Sequence, residues 1–265
     1  MHRLEHANGV ITYAFELFQE YPVQVHVSTR HGGVSPAPWN TLNFSVKRGD
    51  TRERVRVNRE RLAGALALDP ANFVACQQVH GSLVVAVDRA HAGTVQGDAD
   101  GLTTAHEGLP LSLVFADCVP VVLYDRRRQV LGACHAGWRG TVEGIVDATL
   151  SAMVAGYGCE PADVLAGIGP SIGPDSYEVG DDVVNAVRGR LPEPEMLLIY
   201  ENGAKPHFDL WEANRRQLLR GGVPARQIEI GGVDTAANTA DFFSHRAERG
   251  QCGLFSMVAW LEPRK

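Results

Sequence analysis

The sequence predicts an α+β fold: one layered domain over residues 1–265, with mixed, largely antiparallel sheets flanked by helices. Three observations lead there. Short apolar or alternating runs, the mark of strands, outnumber the segments with helical periodicity. The two kinds do not alternate regularly, as they would in a doubly wound parallel sheet. Three β-like runs follow one another between residues 109 and 136, two of them around a short charged reversal, which implies antiparallel pairing.

In chain order, VQVHVST (23–29) reads as the first strand, and the Pro-containing stretch 32–39 as a surface loop. Residues 51–68 read as a helix around Val55, Leu62 and Leu66. The β-like run ANFVACQQVHG (71–81) and the run SLVVAV (82–87) come next, followed by LPLSLVFAD (109–117), PVVLYD (120–125) and QVLGACHA (129–136). A helix over 141–155 would gather Val142, Ile145, Val146, Leu150 and Met153 on one side. VLAGIGP (164–170) is a strand, 181–191 a helix through Val183, Val184 and Val187, 191–195 a loop, and MLLIY (196–200) a strand. A helix over 210–220 stops at Gly221-Gly222, and GLFSMVAWL (253–261) closes the set. No repeat, low-complexity tract or Pro/Ser-rich linker divides the chain.

Composition excludes several classes of function. The apolar residues are interrupted before any run reaches the roughly 18 needed to span a bilayer, so no membrane segment is expected. MHRLEHANGVITYAF lacks the uninterrupted apolar core of an export signal. With a net charge of −6 and scattered arginines, nucleic acid is not an expected ligand. Five cysteines with no CxxC pair argue against a disulfide framework and a structural zinc knuckle, and fit a reducing cytoplasm.

The charged reversal places chemistry. If Tyr124 faces Gln129 across the turn, Cys118 lies opposite His135 on one sheet face, with Cβ atoms about 4.5–5.5 Å apart. His80, ending the run 71–81, is a third candidate. A Cys-His-His set suits Zn2+, with Cu2+ the alternative, and three protein ligands leave a coordination position open, as reactive sites do. The bland reading makes Cys118 a buried small hydrophobe and the histidines satisfied core or loop residues. Pro120 bears on the choice, because a bulge there would break the opposition.

Beyond these three, Arg139 lies in the glycine-rich turn HAGWRG, which suits an anion or serves only the backbone. Arg30 and Asn43 lie in a second polar loop region, TRHGGVS to WNTLNF, with the parts needed to hold a sugar or heterocycle. Ser244 and Arg246 belong to FFSHR, a pocket wall or a strand end. GIGPSIG (167–173) reads as a structural turn.

QVHG, ADCVP, HAGWRG, TRHGGVS, GIGPSIG, YEVG and FFSHR together resemble the peptidoglycan editing factor family, whose members are also described as laccase-domain multicopper oxidases and as purine nucleoside phosphorylases. The resemblance covers almost the whole chain in order. It implies a fold like that of the cytotoxic-necrotizing-factor-like cysteine hydrolases and a zinc held by His80, Cys118 and His135. It also implies phosphorolysis of adenosine, inosine, guanosine and methylthioadenosine, with deamination of adenosine. Purine nucleosides and phosphate are then the expected partners, with Arg30 and Arg139 holding phosphate and Asn43, Ser244 and Arg246 contacting ribose or base. Multicopper polyphenol oxidation fits less well, because one His-His-Cys set offers one metal site. Two further readings stand: Cys118 as the nucleophile of a hydrolase acting on amide or cell-wall substrates, and a non-catalytic nucleoside-binding protein. Two segments depart from the family pattern: Asp234-Thr235 where Cys-Thr is usual, and Cys252-Gly253-Leu254 where Thr-Gly-Arg is common.

Overall fold

The computed structural model describes residues 1–200 and 205–263. The chain begins with β1 (His2–Glu5), β2 (Ile11–Ala14) and β3 (Val23–Ser28), then α1 (Arg52–Ala65). Four short strands follow: β4 (Ala75–Gln77), β5 (Val84–Ala86), β6 (Val95–Asp98) and β7 (Gly101–Thr104). Next come β8 (Leu111–Phe115), β9 (Val119–Asp125), β10 (Val130–Ala136), α2 (Trp138–Glu143), α3 (Ile145–Tyr157), β11 (Val164–Ile168) and α4 (Asp181–Arg190). The last elements are β12 (Leu198–Ile199), β13 (His207–Phe208), α5 (Leu210–Arg220), β14 (Ile228–Ile230) and β15 (Phe255–Leu261).

Two main sheets result. One is antiparallel throughout, in the order β1-β2-β3-β15-β8. The other, β14-β11-β9-β10-β7-β5, is antiparallel around β9 and β10 and parallel at its two edges. Strands β9 and β10 are buried at every position, so both of their faces must find apolar partners. Alternation sorts the faces. Val119, Val121 and Leu123, with Val130, Cys134 and Ala136, lie under α3, α4 and α5. Val122, Tyr124, Leu131 and Ala133 meet Leu113, Phe115, Phe255 and Met257 of the first sheet. Leu62 and Leu66 of α1 pack on Val258 and Trp260 across that sheet's outer face. The layers therefore run helix, sheet, sheet, helices.

Three differences from the sequence reading have physical reasons. First, β8 does not pair with β9: it joins β15, and residues 116–118 carry the chain from one sheet to the other. Second, the β9–β10 register is shifted by two, pairing Asp125 with Val130 and Pro120 with His135. The Asp125 carboxylate accepts the N–H groups of Arg127 and Arg128, and Gln129 takes φ 56° while donating to the Asp125 carbonyl, so residues 126–129 form the turn. The strand pairing is continuous through Pro120, without a bulge. Third, the helix read at 141–155 is two helices beginning at Trp138, because Gly144 at φ 84° ends one and starts the next. The five residues assigned to one side are all buried regardless of the break.

Candidate metal centre

The crossing from β8 to β9 builds the first part of the site. Asp117 takes φ 83° there, a conformation costly for a residue with a Cβ, and its polar groups are tied on every side. Its Oδ1 accepts the Thr235 hydroxyl at 2.8 Å, its Oδ2 accepts the Arg246 N–H at 2.6 Å, and its carbonyl accepts the Ile172 N–H at 2.9 Å. This turn delivers Cys118 to the open end of the sandwich. Because the register shift is an even number, Cys118 still shares a face with His135, as a diagonal neighbour two residues beyond Pro120.

His80 arrives from the loop after β4. Gln78 pairs with Val114 through both its amide groups, at 2.8 and 2.9 Å, as a strand residue would, and fixes the loop against β8. His80 itself takes φ 65°. Buried Asp100 holds this turn: Oδ2 accepts the N–H groups of Val79 (3.1 Å) and Gly81 (2.8 Å), and Oδ1 accepts that of His80 (3.0 Å). Oδ1 also lies 2.8 Å from Nδ1 of His135, whose N–H donates to the Asp100 carbonyl at 2.7 Å.

The ligand atoms of His80, Cys118 and His135 lie within 4.8 Å of one another. Metal bonds of 2.0–2.3 Å in a tetrahedron set ligand spacings of roughly 3.3–3.8 Å, so small side-chain rotations would close the set around one ion. Space is kept for it. A Cβ on Gly137 would stand 3.0 Å from the Cys118 sulfur and 3.1 Å from the His80 ring. The two imidazoles meet edge to face at 4.8 Å, and Phe115 walls the site 5.5 Å from His135. Among the described residues this is the one group of three or more His, Cys, Asp or Glu arranged to hold a metal.

Charge in the site is mutually supported. Burial opposes ionisation of Cys118, but the His135 charge and hydrogen bonds from His135 and His80 outweigh it and lower the thiol's pKa. Burial likewise works against a charged His135, and the Cys118 charge with the Asp100 hydrogen bond raises it. Cys134, one strand away on the opposite face, has no such partner, and burial pushes its thiol up to about 12. Thiolate character is therefore local to Cys118, as metal ligation needs.

The other residues singled out from the sequence divide into two groups. Arg139 is exposed, stacks 4.4 Å over Trp138, and among the described residues has no carboxylate partner. Arg246 is exposed over Tyr177 at 5.1 Å, and its Nη1 donates to the carbonyls of Ser176 and Glu178. Arg30, Asn43 and Ser244 have internal roles instead. Arg30 bonds the carbonyls of Asn40 and Thr239 and pairs with Glu248, beside a cavity of about 290 Å³ that it lines with His31, Asn40, Thr41, Thr239 and Ala240. The Asn43 amide is buried and joins Ser45, Asp50 and Leu254. The buried Ser244 hydroxyl accepts the Ala247 N–H. Of the departures from the family pattern, Asp234 accepts the Ser176 hydroxyl at 2.6 Å, and Cys252 is buried with its sulfur 2.8 Å from Arg48 Nη1.

Two neighbours of the site escaped the sequence reading. Asp100 stands in GDADG, which reads as a polar turn, and nothing local separates it from Asp98. Tyr177 is kept un-ionised by burial, with the Cys118 charge adding to that effect. Its signal was YEVG, which carried only a resemblance.

The sequence model of the multi-copper polyphenol oxidoreductase laccase family matches residues 24–262. The chain belongs to this family. Within it, the chain is 39% identical over 248 residues to purine nucleoside phosphorylase YlmD of Geobacillus stearothermophilus, covering 90% of this chain and 89% of the relative. It is 38% identical to a purine nucleoside phosphorylase of Bacteroides thetaiotaomicron, covering 83% and 84%. The crystal structure of YlmD from Geobacillus stearothermophilus superposes with a TM-score of 0.92 at 35% identity, covering 98% of this chain and 99% of that one. The Bacillus licheniformis hypothetical protein YfiH superposes with a TM-score of 0.91 at 31% identity, with the same coverage. The layered fold is thus shared with both solved structures.

Proposed function

We propose that the chain is a metal-dependent purine nucleoside phosphorylase, acting on adenosine, inosine, guanosine and methylthioadenosine, and that the same site deaminates adenosine. The observation that carries this reading is the Cys118, His80 and His135 cluster in a chain so similar, over most of its length, to relatives named purine nucleoside phosphorylase. His80, Cys118 and His135 would hold Zn2+, with Cu2+ the alternative that the same donors accept. When bound, the ion supplies a Lewis acid beside the reacting atoms.

Phosphorolysis breaks the bond between ribose C1′ and the base as positive charge develops on the sugar, so the protein's task is to hold a phosphate oxygen close to C1′ and in line. Arg139 suits that task, being an exposed guanidinium next to the His135 strand with no carboxylate partner to release among the described residues. Arg246 retains its Nε and Nη2 donors for phosphate or ribose while Nη1 anchors it to the 176–178 turn. Arg30, Asn43 and Ser244 would act by holding the surrounding loops in place. A cytoplasmic location fits the five unpaired cysteines, and no helix among the described residues is long and apolar enough to cross a membrane.

The test is direct. Protein of known metal content is incubated with adenosine, with and without phosphate, and adenine, inosine and hypoxanthine are separated by chromatography. Phosphate-dependent adenine supports phosphorolysis, and phosphate-independent inosine supports deamination. The lowered thiol pKa favours one second reading, in which Cys118 is the nucleophile of a hydrolase like the cytotoxic-necrotizing-factor-like enzymes, with His135 as its base. Metal-free protein whose Cys118 is rapidly alkylated, and which forms no product from nucleosides, would favour that reading.

A further inference from the structure

We propose that Asp100 is the positioning residue of the metal centre, setting the tautomer of His135 and the path of the His80 loop through one carboxylate. The inference rests on the metal-site reading above. Among the described residues the carboxylate makes four polar contacts: with three consecutive backbone N–H groups, from Val79, His80 and Gly81, and with Nδ1 of His135. Three N–H donors favour the ionised carboxylate, which is acceptor-only and has no hydrogen of its own to give. Nδ1 of His135 must therefore carry the hydrogen and donate it. That leaves Nε2 of a neutral His135 with its lone pair free, on the side of the ring away from Asp100.

The same carboxylate solves a second problem. His80 stands at φ 65°, and three N–H groups turned inward at one place would lack acceptors without a concave anion partner. Asp100 fills that place at 0% exposure, and its own carbonyl accepts the His135 N–H. Two of the three candidate ligands, 55 residues apart in sequence, are thus referred to a single side chain. Cys118 is placed independently, by the Asp117 turn.

Asparagine tests this because it has only one oxygen. With its oxygen toward His135, Asp100→Asn points its NH2 at the N–H groups of Val79 and Gly81 and disturbs the His80 loop. With its NH2 toward His135, it favours the Nε2–H tautomer, which cannot ligate. Either way, Zn2+ affinity measured by chelator competition is expected to fall about 10- to 100-fold. The thiolate-to-metal absorption of the Co2+-substituted variant should change with it. Asp125→Asn is the control for lost stability: it should lower the melting temperature while leaving Zn2+ affinity at the wild-type value.

A measurement on wild-type protein guards against an Asp100 variant that does not fold. The 15N chemical shifts of His135 in metal-free protein at a pH where the ring is neutral should report a proton on Nδ1. A proton on Nε2, or wild-type Zn2+ affinity and Co2+ spectrum in Asp100→Asn, would overturn the proposal. Wild-type protein that binds no Zn2+ overturns the metal reading instead, and the His135 tautomer then decides the role of Asp100 alone.

Discussion

The β9–β10 hairpin has a buried aspartate at each end, and the two do the same thing to different effect. At the closed end, Asp125 accepts the N–H groups of Arg127, Arg128 and Glu160. At the open end, Asp100 accepts those of Val79, His80 and Gly81. Both carboxylates are 0% exposed, and both replace lost hydration with three backbone donors, as a buried charge requires. The difference is the fourth donor. Asp100 also takes an imidazole whose far side faces a thiol and a second imidazole, whereas Asp125 takes the Cys159 thiol and ties its turn to the segment at Glu160. A satisfied buried carboxylate is thus a structural device, and it becomes a functional one only through what its last partner faces.

The largest effect is expected on the open end's own ligand. Cys118→Ala should abolish the proposed phosphorolysis and deamination and weaken Zn2+ binding, because two imidazoles alone hold zinc poorly. Its melting temperature in the absence of metal should stay near wild type, since Cys118 is only partly buried and its turn is held by Asp117. Turnover of adenosine with phosphate by this variant would remove the metal cluster from the chemistry. Stripping the wild-type protein with a chelator should reproduce the loss, and added Zn2+ should restore activity.

Asp125→Ala is the corresponding break at the closed end. Three part-buried N–H groups lose their acceptor, and a cost of about 1–3 kcal/mol in chemical denaturation is expected. Activity per folded molecule should be unchanged. A variant that lost Zn2+ as well would mean that the two ends are coupled through the hairpin, and the contrast between them would fail.

These two aspartates also show what the sequence made legible. Asp125 closes an apolar run before RRR, so a turn was readable there, but not that its carboxylate would make residues 126–129 the loop and shift the register by two. Cys118 is not opposite His135 as the reversal implied, but the two still share a face because an even shift preserves it. Strands β9 and β10 were visible as short apolar runs and α3 by its helical periodicity, because both patterns report burial. Asp100, the β8 crossing and the internal roles of Arg30 and Asn43 were not, because each depends on partners distant in sequence: Asp100 on residues 20 and 35 positions away, Asn43 on Leu254 at 211.

Gly137→Ala sharpens the comparison without replacing a ligand. Its φ of −70° suits alanine, so the backbone carries no penalty, but the new Cβ would meet the Cys118 sulfur and the His80 ring. Displacing two ligands by a few tenths of an ångström is expected to lower activity about 10- to 100-fold, with little change in melting temperature. Full activity would mean that the cluster is looser than its packing indicates.

The smallest effect separates both ends of the hairpin from the rest of the fold. His26 on β3 stacks on Trp260 and is lowered to about 4, first by burial and then by the charges of His6 and His2. The folded ring stays neutral while the unfolded chain takes up a proton near pH 6.5, so this stability is present above 6.5 and lost as the pH falls toward 4. Between pH 7 and 5 the wild-type protein should therefore lose about 1–2 kcal/mol through His26. His26→Phe keeps a ring against Trp260 and should remove that loss, whereas Cys118→Ala and Asp125→Ala should retain it. Denaturation midpoints at the two pH values give the answer, and an unchanged slope in His26→Phe would place the acid sensitivity elsewhere, with the hairpin's own ends the first places to look.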